Sequence, residues 1–238
     1  MDISVYYNFQ AKARGLNSVD DVMKVVAENT ILYDSLVLPW LPTKKDAYIL
    51  EVACGPGIFL HWLKKRGYSN AIGSDSSSVQ IDLARQGELS VVLRDALEHL
   101  RSCEPNSFDC VIALDFYEHL PKEILLDFMY EAERVIRHGG NLILRGPNGD
   151  SPLVGRALYN DITHVTALTS TAFNALLTMT GFIKTEFKDD TLASIRNQRW
   201  LRVPLAWIAQ WLFRNLIRAS TRENIRCLSS SMFLCAWK

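Results

Sequence analysis

Hydrophobic positions along the chain follow two regimes. In the N-terminal fifth, Val19 to Val26 and then Ile31 to Trp40 carry apolar residues at three- and four-residue spacing, which predicts helices, and Pro42 stops the second run. From Ala47 the pattern changes to short apolar runs alternating with amphipathic stretches. The runs predict strands at Ala47–Ala53, Ala71–Ser74, Ser90–Leu93, Phe108–Leu114 and Asn141–Arg145, the last opened by Gly139 and Gly140. Helices are predicted between them at Gly57–Arg66, Val79–Gln86 and Lys122–Ile136. Past Pro147 comes a loop rich in Gly, Pro and Ser, then a helix near Thr171–Thr180 and a strand at Phe182–Phe187. An amphipathic helix at Val203–Arg218 and a last strand at Ser231–Trp237 complete the order.

Strands that alternate with helices across short turns imply a doubly wound α/β fold, a parallel sheet with helices on both faces. Strands buried on both sides read as near-continuous apolar runs, and YILEVA, CVIALD and NLILRG do so. The chain divides on this reading into a helical cap at 1–45, a core at 46–190, and a segment at 191–238 that ends in the strand completing the sheet.

Composition is that of an ordinary soluble globular protein. The cysteines Cys54, Cys103, Cys110, Cys227 and Cys235 are scattered and odd in number, so neither a disulfide framework nor a cysteine metal site is expected. That cysteine usage fits a reducing, cytoplasmic setting, and the opening MDISVYYNFQ, with no basic region followed by an apolar run, does not read as a signal peptide. The net charge of zero hides an asymmetry: from Thr191 onward eight Lys or Arg face one acid, Glu223. A basic tail of this kind suits lipid headgroups, a phosphorylated substrate, or the acidic body of its own domain.

In an open parallel sheet, ligands sit beyond the carboxyl ends of the strands. The first such loop is Cys54-Gly55-Pro56-Gly57, and its glycines permit a tight turn and close approach of a ligand. Leu60 stands where a dinucleotide fingerprint needs a third glycine, and no phosphate cradle of the P-loop type is present. Glu51 precedes the loop, Asp75 closes the second strand, and Asp95 follows the third. A strand-terminal Asp at that distance can accept hydrogen bonds from both hydroxyls of a ribose.

The run E-V-A-C-G-P-G resembles motif I of class I S-adenosylmethionine-dependent methyltransferases, with Ala53 in place of the first glycine. FDCVIALDFYEHLPKE resembles the fourth-strand motif of that family, and RVIRHGGNLIL its turn into the fifth strand. The resemblance implies a Rossmann-like seven-stranded methyltransferase sheet and S-adenosylmethionine as cofactor. It implies a cofactor site of Glu51, Ala53, Cys54, Gly55, Gly57, Asp75, Ser76, Asp95, Ala96 and Leu114. Within it Glu51 serves the methionine end, Asp75 the ribose, and Asp95 with the Ala96 amide the adenine.

A hydroxyl acceptor requires a base near the transferred methyl. Two constellations compete for that place. One is Asp115, Glu118 and His119, whose carboxylates share a face if the turn is helical. It resembles the ubiquinone-pathway O-methyltransferases, where an E-x-x-E-H run serves as a metal site. The same E-H-L occurs in methyltransferases that need no metal, and no metal is expected here. The other is Asp161 and His164 in Y-N-D-I-T-H-V, which resembles methyltransferases of bacterial surface-polysaccharide and O-antigen clusters, with Ile162 in place of a proline. That resemblance implies a sugar hydroxyl as acceptor, His164 as base assisted by Asp161, and Asn148 and Arg156 as substrate contacts.

In the tail, Leu205, Ile208, Leu212 and Leu216 share a helical face, Arg199, Arg202, Arg214 and Arg218 lie broadly opposite, and Trp200, Trp207 and Trp211 lie along one border. The helix packs on its own domain, or it lies on a membrane surface through 199–218, at the inner face of the membrane. The leading expectation is a sugar O-methyltransferase of surface-glycan biosynthesis. A small-molecule O-methyltransferase of quinone or natural-product type, with or without metal, and a non-catalytic binding protein are the rivals. No nucleic-acid partner is expected, because the N/D-P-P-Y motif of base amino-methyltransferases is replaced by Leu114-Asp-Phe-Tyr117.

Overall fold

The computed structural model describes residues 15–190, 202–221, 225 and 227–238. Seven strands form one sheet in the order β3-β2-β1-β4-β5-β7-β6. They are β1 Ile49–Val52, β2 Ala71–Asp75, β3 Val91–Leu93, β4 Phe108–Leu114, β5 Ile136–Pro147, β6 Lys184–Asp189 and β7 Ser231–Trp237. The helices are α1 Val19–Leu36, α2 Ile58–Lys65, α3 Ser78–Gln86, α4 Ala96–Ser102, α5 Lys122–Val135, α6 Val154–Leu158, α7 Ser170–Met179 and α8 Arg202–Thr221.

Strands β1 to β5 pair in parallel, whereas β7 lies antiparallel between β5 and β6. The sheet is therefore mixed rather than wholly parallel. Alternation along the strands feeds two cores. Ile49, Cys110, Ile112, Ile143 and Phe233 face α1, α2 and α3; Leu50, Val111, Ala113, Leu142 and Leu234 face α4, α5 and α7.

The N-terminal pattern resolves into one helix rather than two. Ser18 caps α1 by accepting a hydrogen bond from the Asp21 amide, and the helix runs unbroken to Leu36. A 3-10 turn, Leu38–Trp40, follows, because Pro39 disfavours helical geometry at the residue before it. Strand β5 also begins earlier than its apolar run. It passes through the Gly139-Gly140 pair, with an irregular register opposite Phe108 and Cys110. Of the expected elements, residues 1–14 of the cap and 191–201 of the basic segment, including Arg199 and Trp200, lie outside the described residues.

Candidate active site

A cleft of about 1080 Å³ opens where β1, β2, β4 and β5 end, bounded also by Tyr33 of α1 and by the loop before α7. Its two halves are built differently. The first half is mostly backbone. After β1 the chain turns through Ala53, Gly55 and Gly57 at φ of 52°, 53° and 81°, and Gly57 becomes the N-cap of α2. Ala53 thus holds a left-handed conformation that costs an alanine on the order of 1 kcal/mol. Gly55 faces open space, its nearest neighbour to an added Cβ being Gln80 at 4.0 Å. Gly57 has another role than the one expected: it does not line the cleft, and an added Cβ would stand 2.2 Å from Leu89. Its glycine serves the turn and the packing of α2 beside α3.

The Asp75 carboxylate fixes this loop from the next strand, accepting from the Gly55 amide at 2.9 Å and the Ser77 amide at 2.8 Å. Burial raises its pKa, and the two amides oppose the rise. Glu51, at the end of β1, is buried, and its Oε2 has no hydrogen-bond partner. Burial, with Asp75 nearby, pushes its carboxyl well above the usual range. Cys54, Ser76, Asp95 and Leu114 also line the cleft. Asp95 Oδ1 accepts from the Leu97 and Glu98 amides and so caps α4, while Ala96 is buried off the cleft wall.

The second half is a cluster of side chains. Tyr117 is buried under Gly146, with its hydroxyl donating to the Pro147 carbonyl, so the turn after β4 lies against the end of β5. The backbone carbonyl of Glu118 accepts from the amides of Val165 and Thr166 at 2.7 and 3.0 Å, and Thr166 Oγ1 donates to the Leu120 carbonyl at 2.6 Å. These bonds stitch loop 161–166 to turn 117–120. The two constellations that compete in the sequence are consequently one site, with the His119 and His164 rings 4.7 Å apart, edge to face.

The hydrogen bonds place a proton on Nδ1 of each ring. His164 Nδ1 lies 2.9 Å from the Ala157 carbonyl, which can only accept, so Nδ1 carries a proton. Thr163 Oγ1 donates its hydrogen to Asp161 Oδ1 at 2.6 Å, so it accepts from His119 Nδ1 at 2.8 Å. Glu118 Oε1 and Asp161 Oδ2 lie 3.9 and 4.0 Å from His164 Nε2. Glu118 is buried with Oε2 unpartnered, and burial, together with Asp115, raises its pKa well above the carboxylate range.

Three expectations are corrected. Asp115 does not join Glu118 and His119 as a ligand set; its carboxylate pairs with Arg145, and the third member of the cluster is His164. Asn148 is no substrate contact, being fully buried with Nδ2 donating to the Cys227 and Ser229 carbonyls at 2.9 Å. Arg156 is exposed on α6, outside the cleft wall. Conversely, Arg145, Thr163 and Tyr33 matter to the site and were not singled out. Arg145 is legible as the one charge in the apolar run NLILRG; Thr163 and Tyr33 carry no local signal.

Residues 49–140 match a family model described as a methyltransferase domain. Over 186 residues, 70% of this chain, the sequence is 29% identical to a tRNA U34 carboxymethyltransferase from Cellvibrio japonicus, of which 55% is covered. It is 33% identical over 86 residues to a ubiquinone biosynthesis O-methyltransferase of Hahella chejuensis, with 34% of each chain covered. The chain thus spans at most about half the length of these curated relatives. The crystal structure of a SAM-dependent methyltransferase from Archaeoglobus fulgidus superposes with a TM-score of 0.70 at 21% identity, covering 98% of this chain and 99% of that one. Residues 49–140 thus resemble a methyltransferase domain, and the chain has the fold seen in solved S-adenosylmethionine-dependent methyltransferases.

Proposed function

We propose that the protein is an S-adenosylmethionine-dependent O-methyltransferase. The observation that carries this reading is the joining of a backbone-lined nucleoside half to an imidazole–carboxylate half within one cleft. The residues of the first half fit the cofactor. Glu51 holds an unpartnered buried oxygen suited to a cationic group, Asp75 retains acceptor capacity for a ribose, and Gly55 leaves room against the loop. Cys54, Ser76, Asp95, Ala96 and Leu114 complete the proposed cofactor set, with Asp95 toward the base. S-adenosylmethionine, when bound, supplies a methyl group already activated on a sulfonium.

The chain's own task is to hold an acceptor hydroxyl and take its proton. His164 Nε2 is suited to that, since Nδ1 is fixed on Ala157 and the Asp161 carboxylate, 4.0 Å away, stabilises the imidazolium that forms. His119 is oriented beside it through Thr163 and Asp161. The loop resemblance supports a sugar hydroxyl of a surface glycan or its precursor as acceptor. A small-molecule acceptor is the second reading, favoured by the ligand-like grouping of Glu118, His119 and His164.

Helix α8 belongs to the same reading. Among the described helices none is long and apolar enough to cross a membrane, yet Trp207 and Trp211 are 61% and 64% exposed, beside Leu205, Ile208, Leu212 and Leu216. Exposed aromatic and aliphatic side chains next to Arg214 and Arg218 support peripheral contact with anionic lipid at the cytoplasmic face, where a lipid-linked saccharide would be met. Sedimentation with anionic liposomes tests this, and wild-type protein left in the supernatant contradicts it. The activity is tested by transfer of labelled methyl from S-adenosylmethionine to panels of nucleotide sugars, lipid-linked sugars and catechols. Labelling of sugars supports the leading reading and labelling of catechols the second. Transfer to amines alone refutes O-methylation.

A further inference from the structure

The acceptor half of the cleft holds a carboxylate that the stitching of its loops does not use. The backbone carbonyl of Glu118, not its side chain, ties turn 117–120 to Val165 and Thr166. The side chain lines the cleft but is only 2% exposed, and Oε2 has no hydrogen-bond partner. Oε2 is backed by Gly146, where an added Cβ would stand 2.9 Å from it, while Oε1 lies 3.9 Å from His164 Nε2. A buried carboxylate in that state is costly unless a positive group joins it. The cleft supplies little positive charge of its own. Among the described residues its wall carries the acids Glu51, Asp75, Asp95, Asp115, Glu118 and Asp161 and a single Lys or Arg, Arg145, which pairs with Asp115 and Asp190. Glu51, Asp75 and Asp95 belong to the cofactor half, so an excess of negative charge also faces the acceptor, and a cleft lined by one sign of charge concentrates ligands of the other.

We propose that the acceptor carries a protonated amine on the carbon next to the hydroxyl that is methylated, which makes it an amino sugar, and that Glu118 is the residue that selects it. The proposal rests on the sugar O-methyltransferase reading and narrows it. With Glu118 Oε1 3.9 Å from His164 Nε2, the hydroxyl can meet the imidazole while the neighbouring ammonium meets the carboxylate. The pairing also decides which atom is methylated. An ammonium has no lone pair and cannot attack the sulfonium. The hydroxyl gives its proton to His164 Nε2, its electron pair forms the new C–O bond, and the pair of the broken C–S bond returns to sulfur. In the empty cleft, burial and Asp115 raise the Glu118 pKa well above the carboxylate range, so an arriving ammonium displaces a proton from it. A phosphate next to the reacting hydroxyl would meet the same acids and be repelled.

The test uses the full chain with labelled S-adenosylmethionine and three amino sugars, glucosamine, galactosamine and mannosamine, each beside its N-acetyl derivative and the matching neutral hexose. The amines are expected to take label on oxygen, with kcat/KM at least tenfold above that of their N-acetyl and neutral partners. In Glu118→Gln that preference should fall roughly 10- to 100-fold, mostly through KM, the range for a lost hydrogen bond to a charged group. Calorimetry of glucosamine binding to the S-adenosylhomocysteine complex, repeated in buffers of different ionisation enthalpy, should show proton release in wild-type protein and none in Glu118→Gln. Circular dichroism identifies a variant that fails to fold, and the comparison of amines with their N-acetyl partners in wild-type protein then carries the test. The proposal is overturned if N-acetyl or neutral sugars are labelled as well as the amines, if no amine takes label, or if folded Glu118→Gln keeps the preference. Labelling of neutral sugars on oxygen without the amines would refute the ammonium and leave O-methylation standing. Label on the amine nitrogen, with the preference and its dependence on Glu118 intact, would refute O-methylation and leave the Glu118 contact standing.

Discussion

The two halves of the cleft hold their chemistry by different means. The half after β1 and β2 is backbone: a left-handed turn pinned by Asp75 through the Gly55 and Ser77 amides, with Glu51 buried beneath it. The half after β4 and β5 is side chains, two imidazoles and two carboxylates brought together by hydrogen bonds between a turn and a loop some 40 residues apart. A backbone site is tied to strand ends and follows from the sheet. A side-chain site depends on how loops are stitched, and it is there that acceptor chemistry can vary while the fold stays the same.

Four substitutions sharpen this contrast, and the largest effect is expected in the side-chain half. His164→Ala should lower the rate of methyl transfer by about 10²- to 10³-fold, the range expected for a removed acid–base group. Its thermal midpoint and its affinity for S-adenosylhomocysteine should stay near those of the wild type. Asp75→Ala acts on the other half. It removes a charged acceptor from both loop amides and from the cofactor, and product affinity should fall about 100-fold by calorimetry, on the order of 3 kcal/mol.

Those two halves were not equally legible in the sequence. The succession of β1 to β5 along the chain and the places of Glu51, Gly55 and Asp75 follow from apolar runs and a glycine turn, because a buried parallel strand and the turn at its end are local features. His119 and His164 were each visible, but as rivals. Only the bonds from the Glu118 carbonyl to Val165 and Thr166 make them neighbours, and backbone hydrogen bonds between loops leave no mark in composition or periodicity. Asn148 misled for a related reason: a polar residue after a strand end reads as a ligand contact, yet it satisfies the carbonyls of Cys227 and Ser229 from inside the fold. Gly57 reads as a cofactor glycine, yet an added Cβ there would meet Leu89, which only the fold brings near from about 30 residues further along the chain.

The smaller effects test the strain stored in the backbone half. Glu51 has its pKa raised, by burial first and then by Asp75, well above its ordinary value of 4.5. A carboxyl raised in the folded state contributes its full stability below the unfolded value and loses it as pH climbs through the folded one. Glu51→Gln should therefore stabilise the ligand-free protein at pH 8 by about 1–2 kcal/mol, and by much less at pH 4, while weakening cofactor binding. Thermal melts at the two pH values measure the difference; equal gains at both would contradict the buried charge. Ala53→Gly should add about 0.5–1 kcal/mol by removing a left-handed alanine, read as a raised thermal midpoint.

The separateness of the halves is tested most directly by titrating S-adenosylhomocysteine into wild-type protein and into the His119→Ala/His164→Ala double variant in a calorimeter. One site per chain is expected in both, with affinities within threefold of each other. Loss of binding in a folded double variant, or no binding to the wild type, would contradict a cleft in which one half binds the cofactor and the other works on the acceptor.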